Sequence, residues 1–482
     1  MQRMQNYIAG KWEESSAHQM VPIHNPATGQ VIAEMPLSTC EEVERALSAA
    51  KAAFPAWRET PPVERARCLL RLRILMEEHL NELARVITLE NGKTLAEARG
   101  EVLRSMENVE VAIGIPSLMM GHNLEDIAHG IDEAAVRQPI GVFSVVAPFN
   151  FPNMVPFWFL PYAVATGNTY VVKPSHRTPI SWNRMMPLFE KAGFPDGVIN
   201  LVNGAKEVVD ALLESAELAG ISFVGSTPVA KYIYQKAASR GKRVQAQAGA
   251  KNFLVVMPDC SLDETVSNIM GSAFGNAGQR CLAGAIAVGV GDIYQKLRDA
   301  LVEGAKRIVV GNGLDEGVDM GPVISQASKE RIESYIAGAE RDGAQILLDG
   351  RGIEMKGYPG GYFVGPTIID EVRPEMAIAQ EEVFGPVLAL MRAKELGEAL
   401  ELMEGVPYGN AGSIFTSSGG AAREFVYRAP IGNIGINIGV AAPMAFFHFG
   451  GMRESFFGDL HGQGRDAIEF FTEKKVVISR WR

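Results

Sequence analysis

Residues 221–237 read "ISFVGSTPVAKYIYQKA". The apolar, β-branched opening has the composition of a buried strand, Gly225-Ser226 that of a tight turn, and the remainder the spacing of a helix. Thr227 is placed to cap that helix and Pro228 to occupy its first position. Such a turn leaves backbone N–H groups and the positive end of the helix dipole facing outward, which favours a phosphate. Gly225 permits close approach and Ser226 offers a hydroxyl. Alone the motif is weak, because most strand–turn–helix joins bind nothing, and the usual GxGxxG fingerprint is absent.

The same alternation extends on both sides. "VFSVVA" (142–147), "TYVVKPS" (169–175), "GVINLVNG" (197–204) and "FLVVMPD" (253–259) are short apolar runs, with helical stretches at 206–216 and 227–239 between strands. Repeated strand–helix–strand units predict a parallel, doubly wound sheet that binds ligands beyond the carboxyl ends of its strands. Residues 41–115 have helical spacing. A second α/β region spans about 260–460, with a helix in "DIYQKLRDALVEGAKRI" and strands in "EVFGPVLALM" and "GNAGSIFTS". "FFTEKKVVISRWR" ends the chain on a strand, which is expected to pair with a neighbouring subunit's sheet edge. No repeat or low-complexity linker separates the two regions, so the cleft between them is the default site.

Composition narrows the class. The 482 residues are 47% hydrophobic and 21% charged, with a formal net charge of −10 and no long Lys/Arg run, which argues against a nucleic-acid partner. The most apolar stretch, "MVPFWFLPYAVATG" (154–167), is too short to span a bilayer, and the N-terminus lacks a signal peptide's apolar core. Cys40, Cys68, Cys260 and Cys281 form no CxxC pair and have no His cluster beside them, so neither a metal site nor a disulfide framework is expected. A cytoplasmic protein without membrane contact is the expectation.

Cys281 stands apart. "FGNAGQRCLAG" (274–284) surrounds it with Gly275, Gly278 and Gly284 and places Arg280 directly before it. A structural cysteine favours an apolar interior. A flexible, polar setting suits a nucleophile, and the adjacent cation is expected to lower the thiol pKa. In "VVKPSHRTP", Lys173 ends a strand where cofactors lie, and His176 and Arg177 follow at the same edge.

"APFNFP", "KPS", "FVGSTPVA", "GQRC", "EEVFGPV" and "YGNAGSIFT" occur in the order and at about the spacing found in the aldehyde dehydrogenase superfamily, and the chain resembles that family over nearly its whole length. The resemblance implies an α/β fold with a Rossmann-type NAD(P)-binding domain (1–123 and 142–249), a catalytic domain (250–464) and a small β oligomerisation extension (124–141 and 465–482). A homodimer or homotetramer follows from it. It makes Cys281 the nucleophile that forms a thioester, and Asn150 the oxyanion donor together with the Cys281 amide. It assigns Ala147, Phe149, Lys173, His176, Arg177, Ser226, Glu382 and Phe384 to the cofactor.

Two departures refine this. Hydrolytic members carry a Glu in "ELGGK"; here the segment is "QAGAK", with Gln247 in that place, and an amide is no general base at neutral pH. A better nucleophile than water is then needed, such as the thiol of coenzyme A. "SFVGSTPVAKYIY", "GKRVQAQAGAKN", "VVMPD" and "SLMMG" resemble the CoA-acylating branch that acts on methylmalonate and malonate semialdehydes. In that branch Arg104 and Arg280 would hold the substrate carboxylate, and decarboxylation would precede CoA attack. The alternative is a hydrolytic enzyme releasing a free acid. The second departure is "KPSHR", where the branch reads "KPSER". Loss of that carboxylate removes an obstacle to a 2′-phosphate, so NAD is expected with NADP possible.

Overall fold

The computed structural model describes residues 2–481. Two twisted sheets organise it. The first has eight strands in the order Phe456–Phe457, Arg243–Gln247, Leu218–Val224, Val142–Val146, Thr169–Lys173, Ile199–Leu201, Asn6–Ile8, Lys11–Glu13. Its five central strands are parallel, as the alternating pattern predicts. Val142–Val146 comes earliest of these five in the chain yet lies in the middle, so the winding reverses between it and Leu218–Val224. The carboxyl ends of both strands flank this switch point, where a doubly wound sheet opens a crevice.

The second sheet has seven strands, ordered Gln345–Leu348, Thr367–Asp370, Val387–Ala393, Gly284–Val290, Asn252–Val256, Ala411–Phe415, Asn433–Ile436. All pairs but the first are parallel. The chain crosses from one sheet to the other through residues 248–251, so the carboxyl end of Arg243–Gln247 faces the amino end of Asn252–Val256. Cys281 precedes Gly284–Val290 on that same side, at the seam.

The predicted helical region 41–115 is four long helices, Cys40–Glu59, Pro62–Glu78, Leu80–Asn91 and Leu95–Ile113. Thr39/Glu42 and Thr94/Glu97 form reciprocal capping boxes that fix two of the starts. Gly92 ends the third helix at φ 95°, in the left-handed region.

Three local features differ from the sequence reading. Phe456–Phe457 does not stay with the second sheet but extends the first, pairing antiparallel with Ala246 and Gln247. Helix Gly464–Phe470 buries Ala467, Ile468 and Phe470 in the core under the first sheet, so the terminal β extension begins only at Thr472. There Thr472–Arg480 pairs in unbroken register with Ile131–Pro139 of its own chain, and His122–Ala128 completes this small sheet. One edge of the tail strand is thus taken within the chain. No helix among the described residues is long and apolar enough to cross a membrane.

Candidate active site

The peptide leading into Cys281 is tightly wound. Asn276, Ala277 and Gly278 take φ values of 52°, 51° and 69° in succession. Two non-glycine residues side by side in the left-handed region are costly and persist only where surroundings fix them. Here the Asn276 N–H donates to Glu97 Oε1 at 2.6 Å, and its side chain donates to the Asn150 carbonyl at 3.1 Å. Gln279 Oε1 accepts from Ile324 N at 3.0 Å. Beyond the bend, Asn252 and Asn410 both donate to the Cys281 carbonyl, at 2.9 and 2.7 Å. Five partners, Glu97, Asn150, Ile324, Asn252 and Asn410, hold the bend and the cysteine, which is not on a loose loop.

Asn150 is buried, at 4% exposure, and its amide donates to the Gln279 carbonyl at 3.0 Å. Beneath it lies an ion pair with both side chains fully buried: Lys93 Nζ reaches Glu101 Oε2 and the Asn150 carbonyl, each at 2.6 Å. The other oxygen of Glu101 accepts from the N–H groups of Asn153 and Met154. Sequence reading missed this pair; "NGKT" (91–94) signals a helix start but not the partner of its lysine.

The thiol of Cys281 is pushed up to about 12, by burial first and the negative charge of Glu382 second. Arg280 acts in the predicted direction but is outweighed, because its guanidinium turns away to Glu97 at 2.8 Å. The neighbouring cation therefore does not make this thiol acidic. Glu382 itself is pushed up to about 7 by burial and accepts from the Ala250 N–H at 3.1 Å.

A cavity of about 290 Å³ opens onto Cys281. Arg104 and Arg280 line it together with Phe151, Trp158, Phe449 and Gln463. Arg104 also makes the helical-spaced ion pair with Glu107, at 2.7 Å, and donates to the Pro443 carbonyl at 2.8 Å. Arg280 Nε is buried and has no partner among the described residues. Gln247 is 4% exposed, and neither its Oε1 nor its Nε2 has a partner among those residues.

The cofactor candidates gather at the switch point of the first sheet. Ala147 follows Val142–Val146, its N–H bonded to the Lys173 carbonyl at 3.0 Å. Phe149 packs edge-on against Phe384 at 5.8 Å, with the Arg177 guanidinium 6.0 Å from its ring centroid. Lys173 donates to the Gly204 carbonyl at 3.1 Å and is pushed down to about 8 by burial. The imidazole of His176 is pushed down to about 4 by desolvation and then by Lys173 and Arg177, so it is neutral at pH 7. Ser226, not Thr227, is the N-cap of helix Thr227–Ala238. Ser226 has the extended backbone of a cap, so Thr227 is the first helical residue, and its hydroxyl accepts from the Gly249 N–H at 3.0 Å, tying the helix start to the crossing segment. A side chain at Gly249 would meet Thr227 Oγ1 at 2.9 Å and Glu382 Oε2 at 3.0 Å, so this wall stays glycine-narrow. An exposed helix start, a lysine, a carboxylate and a narrow glycine wall fit a dinucleotide.

A cysteine and a buried amide fastened to one bend, at the seam between a dinucleotide-type sheet and a second α/β sheet, fit an aldehyde-oxidising class of enzyme. The model of the aldehyde dehydrogenase family matches residues 12–477, and the chain belongs to that family. A malonate-semialdehyde dehydrogenase from Geobacillus thermodenitrificans is 50% identical over 477 residues, covering 99% of each chain. The crystal structure of methylmalonate-semialdehyde dehydrogenase from Oceanimonas doudoroffii is 44% identical and superposes with a TM-score of 0.99, covering 100% of this chain and 99% of that one. A Sinorhizobium meliloti protein solved in complex with NAD is 41% identical with a TM-score of 0.99, covering 100% of this chain and 98% of that one.

Proposed function

We propose that this chain oxidises malonate semialdehyde, or its 2-methyl homologue, with loss of CO₂ and transfer of the acyl group to coenzyme A. The products are acetyl-CoA or propionyl-CoA, and NAD is reduced. The observation that carries the reading is the single cavity lined by Cys281, Arg104 and Arg280. It sets a thiol and two guanidinium groups around a space suited to a short aldehyde that bears an acid.

Cys281 loses its thiol proton to solvent and adds as thiolate to the aldehyde carbon, and the resulting oxyanion takes the Asn150 amide and the Cys281 N–H as donors. Ala147, Phe149, Lys173, His176, Arg177, Ser226, Glu382 and Phe384 would hold NAD, whose chemistry is to accept the hydride. Hydride loss leaves a thioester on Cys281. The β-carboxylate then leaves as CO₂, its bonding electrons passing to the thioester as an enolate held by the same donors, and protonation gives the shortened acyl group. The CoA thiol displaces Cys281. Gln247 offers no base to water at this stage, which favours the thiol over hydrolysis.

A neutral His176 between Lys173 and Arg177 opposes no 2′-phosphate, so NADP is a second acceptor in this reading. Leu124, Val476, Ile478 and Trp481 are exposed on the small terminal sheet and its end, which supports a homodimer or homotetramer formed through it. Free cysteines suit a reducing cytoplasm. Purified protein given malonate semialdehyde, NAD and CoA should form NADH and acetyl-CoA, and Cys281→Ser should form neither; NADH production by the serine variant at the parent rate would refute the assignment.

A further inference from the structure

The cavity at Cys281 is charge-balanced before any substrate enters. Its acids Glu97, Glu101 and Glu107 are matched by Arg280, Lys93 and Arg104 respectively. A substrate carboxylate arrives as the one uncompensated charge, and needs donors that are not already engaged. Most lining polar groups are engaged: Asn108, for instance, donates to the Arg104 carbonyl and accepts from the Tyr162 hydroxyl.

Gln463 differs. It lines the cavity at 3% exposure and belongs to none of the ion pairs there. Its backbone sits at φ 70°, ψ 168°, a conformation normally left to glycine. That backbone is pinned by its N–H to the Trp158 carbonyl and by its own carbonyl to Ala467 N, both at 3.2 Å. Trp158 lines the same wall, stacked on Phe449 at 4.5 Å. A strained backbone that holds an amide on the cavity wall, with an indole on the same wall, gives the cavity two neutral donors away from the arginine ion pairs.

We propose that Gln463, with the Trp158 indole N–H, determines specificity by donating to the carboxylate of the semialdehyde, completing the shell begun by Arg104 and Arg280. The inference rests on the proposed carboxylate site.

The test compares malonate semialdehyde with propanal, an aldehyde of equal chain length without the acid, in the full enzyme with NAD and CoA. Gln463→Leu and Gln463→Gly should raise KM for the semialdehyde about tenfold or more while leaving KM for propanal within about twofold. Gln463→Asn, which keeps the amide one methylene short, should retain part of the preference. Gln463→Gly relieves the backbone, so its thermal midpoint should equal or exceed the parent's even as substrate binding weakens; a purely structural residue would lose both together. A parent enzyme that prefers the semialdehyde, with variants that keep that preference or lose both substrates equally, overturns this role for Gln463 alone. A parent enzyme with no preference for the semialdehyde overturns the carboxylate site itself and this inference with it.

Discussion

The side-chain amide of Asn150 donates to the backbone carbonyl of Gln279 at 3.0 Å. One N–H of the proposed oxyanion donor is thereby fastened to the peptide that carries Cys281, and the second is the one the proposed oxyanion would take. Preorganised donors of this kind are worth most when nothing has to move during reaction. Asn150→Ala is expected to lower kcat by roughly 10²–10³ with KM changed little. Steady-state kinetics checks it; a kcat within about threefold of the parent would remove Asn150 from the mechanism.

Lys93 and Glu101 carry the floor under Asn150 with no exposure of either side chain. Removing one partner of a buried pair leaves an uncompensated charge. Lys93→Met should therefore cost about 3–5 kcal/mol of stability, and Lys93→Met with Glu101→Met should recover much of it. Urea denaturation of the parent, the single and the double variant measures both. A double variant no better than the single would show that the pair's partners act separately.

The Cys281 thiol stands near 12, and Glu382 is one cause. The sign is that of an acid held in its neutral form: the thiolate fraction of the free enzyme stays small at pH 7 and grows as pH rises towards that value. Alkylation of Cys281 by iodoacetamide, followed on its own peptide by mass spectrometry, should accelerate with pH without levelling below about pH 10. Glu382→Gln removes the repelling charge and should shift the profile to lower pH. A plateau near pH 7 in the parent would mean the thiol is already ionised.

The parallel sheet and the strand–turn–helix join at Gly225-Ser226 were legible because they rest on local patterns: short β-branched runs, a Gly-Ser turn and helical spacing after it. What was not legible depends on partners distant in the chain. Arg280 reads as a thiol-acidifying neighbour until Glu97 takes its guanidinium from 183 positions away. Thr227 reads as a helix cap, yet its hydroxyl accepts from Gly249. Lys93 and Gln463 carry no local signal, since burial and φ at those sites come from Glu101 and Trp158.

Gln247 is buried without partners where hydrolytic relatives of the resemblance carry a carboxylate. Gln247→Glu restores a base at that point. The variant is expected to gain free-acid product in the absence of CoA, by roughly 10²-fold over the parent's background. Product analysis by mass spectrometry reads it, and an unchanged CoA requirement would show that water is excluded by something other than the missing base.

In the proposed reaction a thiol, not water, collects the acyl group from Cys281. This step is tested most directly by following NADH formation from malonate semialdehyde with and without CoA, with the products identified by mass spectrometry. Sustained turnover should occur only with CoA, yielding acetyl-CoA and CO₂. Equal turnover without CoA, yielding free acid, would contradict it.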